Sequence, residues 1–483
     1  MRKRAYRSVA IKNVNVAELL SRLAAGRVQV GVDIAKNELL ITVQDASGAF
    51  QRPWKVKQPS EIGELVNCLL LISKERPLVV AMESTGTYGD CLRQALTDAG
   101  LVPHRVNAKA VKDHAETFDG VPSNHDGKDA AIIAELTSFG KARPWPSAMP
   151  SQWEAKVERQ IHWMDTQQDI LQLWLGRIEA LVARHWPELL GLLKLNSSTL
   201  LRLMSHYGSP GSLAKCGEAE QWLRKWGRAG LTEGKIKAIV ESARSTVGVR
   251  MADEIVLQLR EYAGEALKAR QEVQRAKQAL KVLGSENEKI VAMAQVVGTV
   301  TACILWATVG DPQNFHCGEA YRKAMGLNLK ERSSGKHQGK LKITKRGPSL
   351  ARRWLYFRAL RVVQQSPVKN WYQKKKDKDQ GYGSKAVVAV MRKLALAVYA
   401  VTVRKQPFQL ERLLPGKPWP SARTGGLPPD PQDLPPAAKT KGVGRSRSIP
   451  ERAPPSFVAP GTVLGSVPTV ALSSAQVKQQ IAH

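Results

Sequence analysis

Two apolar runs that each end on a carboxylate constrain this chain more than any other feature. Val28-Gln29-Val30-Gly31-Val32-Asp33 and Leu78-Val79-Val80-Ala81-Met82-Glu83 read as strands, each closed by an acid. Between them Glu38-Leu39-Leu40-Ile41-Thr42-Val43 is β-rich and Asp45-Ala46-Ser47-Gly48 supplies a turn, so a hairpin is expected. Ile62 to Ser73 has helical apolar spacing, Cys91 to Ala99 reads as a short helix closed by Gly100, and Leu101 to Val106 as a further strand. Asp126 and Asp129 stand just before and within reach of Ala130-Ala131-Ile132-Ile133-Ala134, which reads as a helix, and at that spacing they share a face. Alternating strands and helices over 28–145 predict an α/β domain with a largely covered sheet.

From 152 to 290 the pattern is almost wholly helical. Trp153–Leu193 and Ala252–Leu283 carry apolar residues at three- and four-residue intervals and read as two long helices able to pair as a coiled coil. Residues 196–248 between them form a smaller helical insert, punctuated by Gly208-Ser209-Pro210-Gly211 and by glycines from Gly227 to Gly234. A third unit, 291–410, opens on Val296-Val297-Gly298-Thr299-Val300-Thr301-Ala302 and ends in apolar helices. Beyond Leu414 lie about half of the chain's 27 prolines, so 414–483 is expected to be a disordered tail. No solenoid-type repeat is evident.

A chain of 483 residues exceeds the size at which one core keeps growing. Lys and Arg outnumber Asp and Glu by 73 to 42, a net charge of +31, which favours a nucleic-acid partner over a membrane because the charge is spread over every segment. The basic start Met1-Arg2-Lys3-Arg4 is followed by no apolar core of a signal peptide. The most apolar runs, 296–310 and 387–403, fail as membrane spans, the first by length and the second by Arg392 and Lys393. Cys68, Cys91, Cys216, Cys303 and Cys317 have no paired spacing, which argues against a disulfide framework or a zinc site. The expectation is a soluble cytoplasmic protein with no membrane partner.

Asp33, Glu83, Asp126 and Asp129 are the candidate metal ligands. Mg²⁺ takes one or two carboxylates and completes its octahedron with water and phosphate. Two such ions about 3.5–4 Å apart activate an attacking oxygen and stabilise a leaving one. The bland alternatives are a helix N-cap and solvated strand ends, and composition leaves both readings open. A second cluster of interest is cationic: Arg332, Lys336, Lys340, Lys342, Lys345, Arg346, Arg352 and Arg353 surround Ser333-Ser334-Gly335. Interleaved Gly335, Gly339 and Gly347 favour close approach to phosphates, and such cations bind backbone with little sequence reading. Gly298, ahead of an apolar helix, reads either as a phosphate-binding helix start or as a packing turn. The tryptophans Trp153, Trp163, Trp174 and Trp186 read as packing rather than base-stacking residues.

Val30-Gly31-Val32-Asp33-Ile34-Ala35-Lys36, Met82-Glu83-Ser84-Thr85-Gly86-Thr87-Tyr88 and Asp126-Gly127-Lys128-Asp129-Ala130 resemble the RuvC-like domain of the DEDD insertion-sequence transposases, the family that includes the Piv-type DNA invertases. Val297 to Ala302, Arg332-Ser333-Ser334-Gly335 and Lys345-Arg346-Gly347 resemble its C-terminal transposase domain, so the likeness runs in order over most of 28–405. Relatives often have Lys-Thr-Asp where this chain has Asn124-His125-Asp126. The resemblance implies an RNase H-like domain, a helical coiled-coil middle and a mainly helical transposase domain. It implies a two-metal site (Mg²⁺, with Mn²⁺ as an alternative) on the four carboxylates and a nucleophilic serine, best matched by Ser334 with Ser333 beside it. It further implies strand rejoining through a phosphoserine, double-stranded DNA as substrate, a structured guide RNA, and a homodimer or homotetramer with active sites shared between subunits. The alternative is a RuvC-like nuclease or junction resolvase in which the serine is incidental.

Overall fold

Alternation of small or polar with branched apolar residues decides how the N-terminal sheet is covered. The structure, a computed structural model, describes residues 7–83, 86–120, 126–331, 339 and 341–414. The α/β part runs β1 (Val9–Ala10), α1 (Val16–Arg22), β2 (Val28–Ile34), β3 (Glu38–Gln44), β4 (Trp54–Lys57), α2 (Ile62–Glu75), β5 (Leu78–Glu83), α3 (Asp90–Asp98), β6 (Pro103–Val106), α4 (Ala108–Asp119), α5 (Asp126–Ser138) and β7 (Arg143–Pro144). Its seven strands lie in the order β1-β4-β3-β2-β5-β6-β7. The β2/β3/β4 meander is antiparallel, and β5 and β6 add on parallel to β2.

Side chains alternate across a strand. Val28, Val30 and Val32 therefore join Leu39, Ile41 and Val43 on one face, in a core shared with α1, α2 and α3. The opposite face of β2 presents Gln29, Gly31 and Asp33, and α5 packs there with Ala81, Val106, Ile132, Ile133 and Leu136 in the interface. The expected hairpin is present, but it closes at residues 35–37. The 45–48 turn instead leads toward β4, where Gly48 N–H and Ala49 N–H are tied back to the Asp45 carbonyl and carboxylate. β1, β4 and β7 span two to four residues, too short for periodicity to announce them.

The helical part begins with α6 (Gln152–His185), whose start carries a full capping box between Ser151 and Glu154. α7 (Pro187–Leu192), α8 (Ser198–Tyr207), α9 (Pro210–Ala214), α10 (Ala219–Gly227) and α11 (Glu233–Arg244) lead to α12 (Asp253–Ser285). The long helix expected to reach Leu193 breaks at Trp186 (φ −153°, ψ 64°), because the ring of Pro187 excludes the helical conformation from the residue before it. α6 and α12 pack along their length. Val157, Ile161, Met164, Leu171, Leu175, Ile178 and Val182 form the α6 seam at three- and four-residue steps with one seven-residue step after Met164, facing a seam rich in alanine on α12 (Ala263, Ala266, Ala269 and Ala276).

The chain ends in α13 (Glu288–Val297), α14 (Thr299–Val309), α15 (Gly318–Ala324), β8 (Leu329–Lys330), β9 (Lys342–Ile343), α16 (Ser349–Val362), α17 (Val368–Lys378) and α18 (Ser384–Val403). One apolar core joins these helices to the roots of α6 and α12, through Val157, Ile161, Met164, Val273 and Leu280. α18 is long and apolar enough to cross a membrane, yet two thirds of its apolar stretch is buried in this core. Its Arg392 and Lys393 donate to the carbonyls of Leu327 (3.0 Å) and Leu414 (2.5 Å). The five cysteines are free. The tail from 415 onward lies outside the described residues.

Candidate active site

Parallel pairing of β2 with β5 aligns Val32 with Met82, which leaves Asp33 and Glu83 side by side at the same edge of the sheet. Both follow the α5-facing positions Gly31 and Ala81 by two residues, so both carboxylates point to the α5 side. The helix comes unusually close. A Cβ on Gly31 would stand 2.0 Å from the carbonyl oxygen of Ala130 and 2.5 Å from the amide of Ala134. That contact sets the first turn of α5, with Asp126 and Asp129, over the ends of β2 and β5. The buried Thr42 hydroxyl, opposite Gly31 in the β2/β3 register, donates to the Gly127 carbonyl at 3.4 Å and fixes the same turn.

Electrostatics report the convergence. Burial first, and then the charges of Asp129, Asp126 and Glu83 in that order, together push the Asp33 carboxyl up to about 7, against a lowering hydrogen bond from the Ile34 amide. All four carboxylates thus act on one point. Among the described residues no three His, Cys, Asp or Glu side chains gather at metal-ligand spacing. The four carboxylates lie close enough to act on one another but do not form a closed protein cage. That fits a hard cation of the Mg²⁺ type, which uses one or two carboxylates and takes its other oxygens from water and phosphate. The donor set is all oxygen, which disfavours softer metals.

One member of the site carried no signal beyond its place in the motif. Lys128, between Asp126 and Asp129, is 1 % exposed, and its ammonium bonds to Asp119 at the end of α4 at 2.6 Å. This pair ties α4 to the acidic turn of α5, and His114 against Glu135 at 2.6 Å ties the same two helices further along.

The second candidate cluster divides in two. Arg332, Ser333, Ser334, Lys336 and Lys340 lie outside the described residues, between strands β8 and β9. The stems of that hairpin pair Leu329 with Ile343 and Lys330 with Lys342. Lys342, Lys345 and Arg346 are exposed beside it. Their backbone is rigidly seated, with Lys345 N–H on the Gly326 carbonyl at 2.9 Å and Thr344 N–H on that of Asn328 at 2.9 Å. Gly347 serves this seating rather than a phosphate, since a Cβ there would meet the Ala324 carbonyl at 2.3 Å.

Arg352 and Arg353 are half-buried and bonded within the protein. Arg352 donates to the carbonyls of Met325 (3.2 Å) and Gly347 (2.6 Å), and burial lowers its pKa. Arg353 is ion-paired with Asp165 of α6. Gly298 (φ 81°) is exposed and joins α13 to α14 through a 116° bend, with no side chain capping the start of α14. The packing turn and the open helix start are therefore both present.

Two family models match this chain. A transposase model of the DEDD, IS110 type covers residues 30–154, the stretch that holds all four carboxylates. A model for the transposase IS116/IS110/IS902 family covers residues 288–373, from α13 into α17, and spans Ser333 and Ser334. No curated protein matches the chain.

Proposed function

As a member of the IS110-type DEDD transposase family, this chain is an enzyme that cuts and rejoins DNA, and we propose that it does so from a two-part active site. One part is Asp33, Glu83, Asp126 and Asp129; the other is Ser334. The observation that carries the reading is the convergence of the four acids on one sheet edge, with Asp33 raised to about 7 by burial and by the other three. The strand order β4-β3-β2-β5-β6, an antiparallel meander extended by two parallel strands, supports an RNase H-like domain.

Asp33 and Glu83 are the strand-borne donors for Mg²⁺ or Mn²⁺, and Asp126 and Asp129 the helix-borne ones. A bound ion supplies Lewis-acid stabilisation of the charge on a phosphate in transfer. The chain's own residues do the rest. α5 holds its acids against β2, Lys345 and Arg346 bind the DNA backbone, and the Ser334 oxygen attacks phosphorus. A serine–phosphorus ester forms as a deoxyribose oxygen leaves. Attack by the hydroxyl of an incoming strand reverses the exchange and frees the serine. One P–O bond forms for each that breaks, so no external energy source is needed.

The substrate is double-stranded DNA at the element ends and the target. A structured RNA guides the choice of site, and a homodimer or homotetramer brings one subunit's acids to another's serine. These partners rest on the family.

The test is a denaturant-stable protein–DNA adduct, formed with Mg²⁺ and element-end DNA. It is expected in the native enzyme and in Ser333→Ala, and absent from Ser334→Ala and Asp33→Asn. An adduct that survives in the Ser333/Ser334 double alanine variant overturns the serine assignment. DNA cutting that persists in Ser334→Ala without any adduct favours the resolvase reading.

A further inference from the structure

The helical insert between α6 and α12 takes no part in the chemistry above, yet it carries an aromatic and cationic surface. His206 on α8 and Trp222 and Trp226 on α10 form a mutual cluster. Their ring centroids are 5.6 Å (His206–Trp222), 5.5 Å (His206–Trp226) and 5.7 Å (Trp222–Trp226) apart. Trp226 packs on the insert's apolar core, whereas Trp222 is not among the described residues that touch it. His206 is exposed and both indoles are half-buried. The Lys225 ammonium lies over the Trp222 ring at 4.7 Å. Arg202, one helical turn before His206, and Arg228, just past α10, are exposed on the same elements. Within 196–248 there are eight Lys and Arg against four Asp and Glu.

A ring that is not needed by the core, braced by two others and ringed with cations, suits the face of a nucleobase with its phosphate. Centroids 5.7 Å apart at a 34° tilt leave no room for a base between the indoles, which would need about 7 Å, two stacking distances. The platform is therefore the face of Trp222 now covered by the mobile ammonium of Lys225, which an incoming base displaces onto its own phosphate. Bases within a duplex are stacked on each other and cannot reach such a shelf, so the occupant has unpaired nucleotides. The proposed DNA substrate is duplex, whereas a structured guide RNA exposes loops.

We propose that the Trp222 shelf is a docking site for unpaired nucleotides of RNA, an inference that rests on the guide-RNA reading for its choice of RNA over DNA. α6 and α12 pack along their length with the insert at one end. The shelf lies beside Arg260 of α12, which donates to the Tyr207 carbonyl, whereas α12 enters the transposase core at Val273 and Leu280, about 20–30 Å further along its axis at 1.5 Å per residue. It thus holds the RNA on the insert, on elements that carry none of the four carboxylates.

The experiment uses the full chain and a short uridine-rich RNA carrying 4-thiouridine, photocrosslinked and mapped by mass spectrometry. A crosslink within 202–228 is expected, reduced about tenfold in Trp222→Ala and restored in Trp222→Phe, with thermal melting curves unchanged. No crosslink in that segment, or one unaffected by Trp222→Ala, overturns the shelf. Equal capture of a single-stranded DNA of the same sequence, or of an RNA duplex, overturns its assignment to unpaired RNA. Strand transfer assayed with and without RNA transcribed from the element ends tests the guide reading separately. RNA-independent transfer alongside an intact shelf crosslink would remove the guide and leave the shelf.

Discussion

At Gly31 a missing side chain, rather than a present one, builds the acidic site. A methyl there would collide with two backbone atoms of α5, and neither can rotate away. Gly31→Ala is therefore expected to push α5 outward, costing about 1–3 kcal/mol by overpacking and about a hundredfold in strand transfer by displacing Asp126 and Asp129. Gly63→Ala on α2, where a Cβ meets nothing within 4 Å, is the control and should leave activity unchanged and the melting temperature unchanged or slightly raised. Equal behaviour of the two variants would sink the account. Asp33 makes the complementary case. Its folded pKa of about 7 lies above the ordinary 3.8, so between those values the folded chain holds more protons than the unfolded one. Stability of the metal-free protein then falls as pH rises through that window. Asp33→Asn should abolish this fall and stabilise the metal-free protein at pH 8, by at most about 4 kcal/mol before solvent screening, while ending strand transfer. Mg²⁺ should raise the melting temperature of the native chain and not of the variant; identical responses would argue against Asp33 as a ligand. The strand ends that hold Asp33 and Glu83 were legible in the sequence because an acid closing an apolar run is a local pattern. The role of Gly31 was not, since it depends on which helix crosses β2, and burial of Lys128 depends likewise on Asp119 at the end of α4.

At the scale of elements, the long helices were legible because three- and four-residue spacing over 30 residues has no other reading. Their end was legible only in hindsight from Pro187, whose effect falls on Trp186 before it. The cations of α16 show the limit more sharply. In sequence, Arg352 and Arg353 look like Lys345 and Arg346, because charge runs carry no record of which partners lie across a fold. In the structure they are joints. Arg353 pins α16 to α6 through Asp165, and Arg352 ties α16 to the α15 end and to Gly347. A double-mutant cycle of Arg353→Ala with Asp165→Asn is expected to show coupling of about 0.5–3 kcal/mol in urea unfolding. Arg353→Ala should leave the salt dependence of DNA binding unchanged. Additive stabilities with a weakened salt dependence would return Arg353 to the DNA-binding set.

Across the whole molecule a charge of +31 has to be divided between holding the protein together and holding nucleic acid. Lys128, Arg352, Arg353, Arg392 and Lys393 are committed inside, on carboxylates or carbonyls. Lys345 and Arg346 are exposed on a backbone seated by hydrogen bonds beside the β8/β9 stem, the stem that leads to the serine segment. Lys225 stands on α10 of the insert, away from the β8/β9 stem in sequence and on a separate apolar core. These positions make separable predictions because each neutralised phosphate contributes about one unit to the slope of log affinity against log salt. Lys345→Ala and Arg346→Ala should each lower that slope by about one for duplex DNA and leave RNA crosslinking at the insert intact. Trp222→Ala should do the reverse, reducing the insert crosslink with the duplex slope unchanged. Titrations of duplex DNA at several salt concentrations, run beside the crosslinking assay on the same preparations, measure both. If either set of variants weakens both partners alike, the basic charge acts as one diffuse field, and the division of labour between insert and core is wrong.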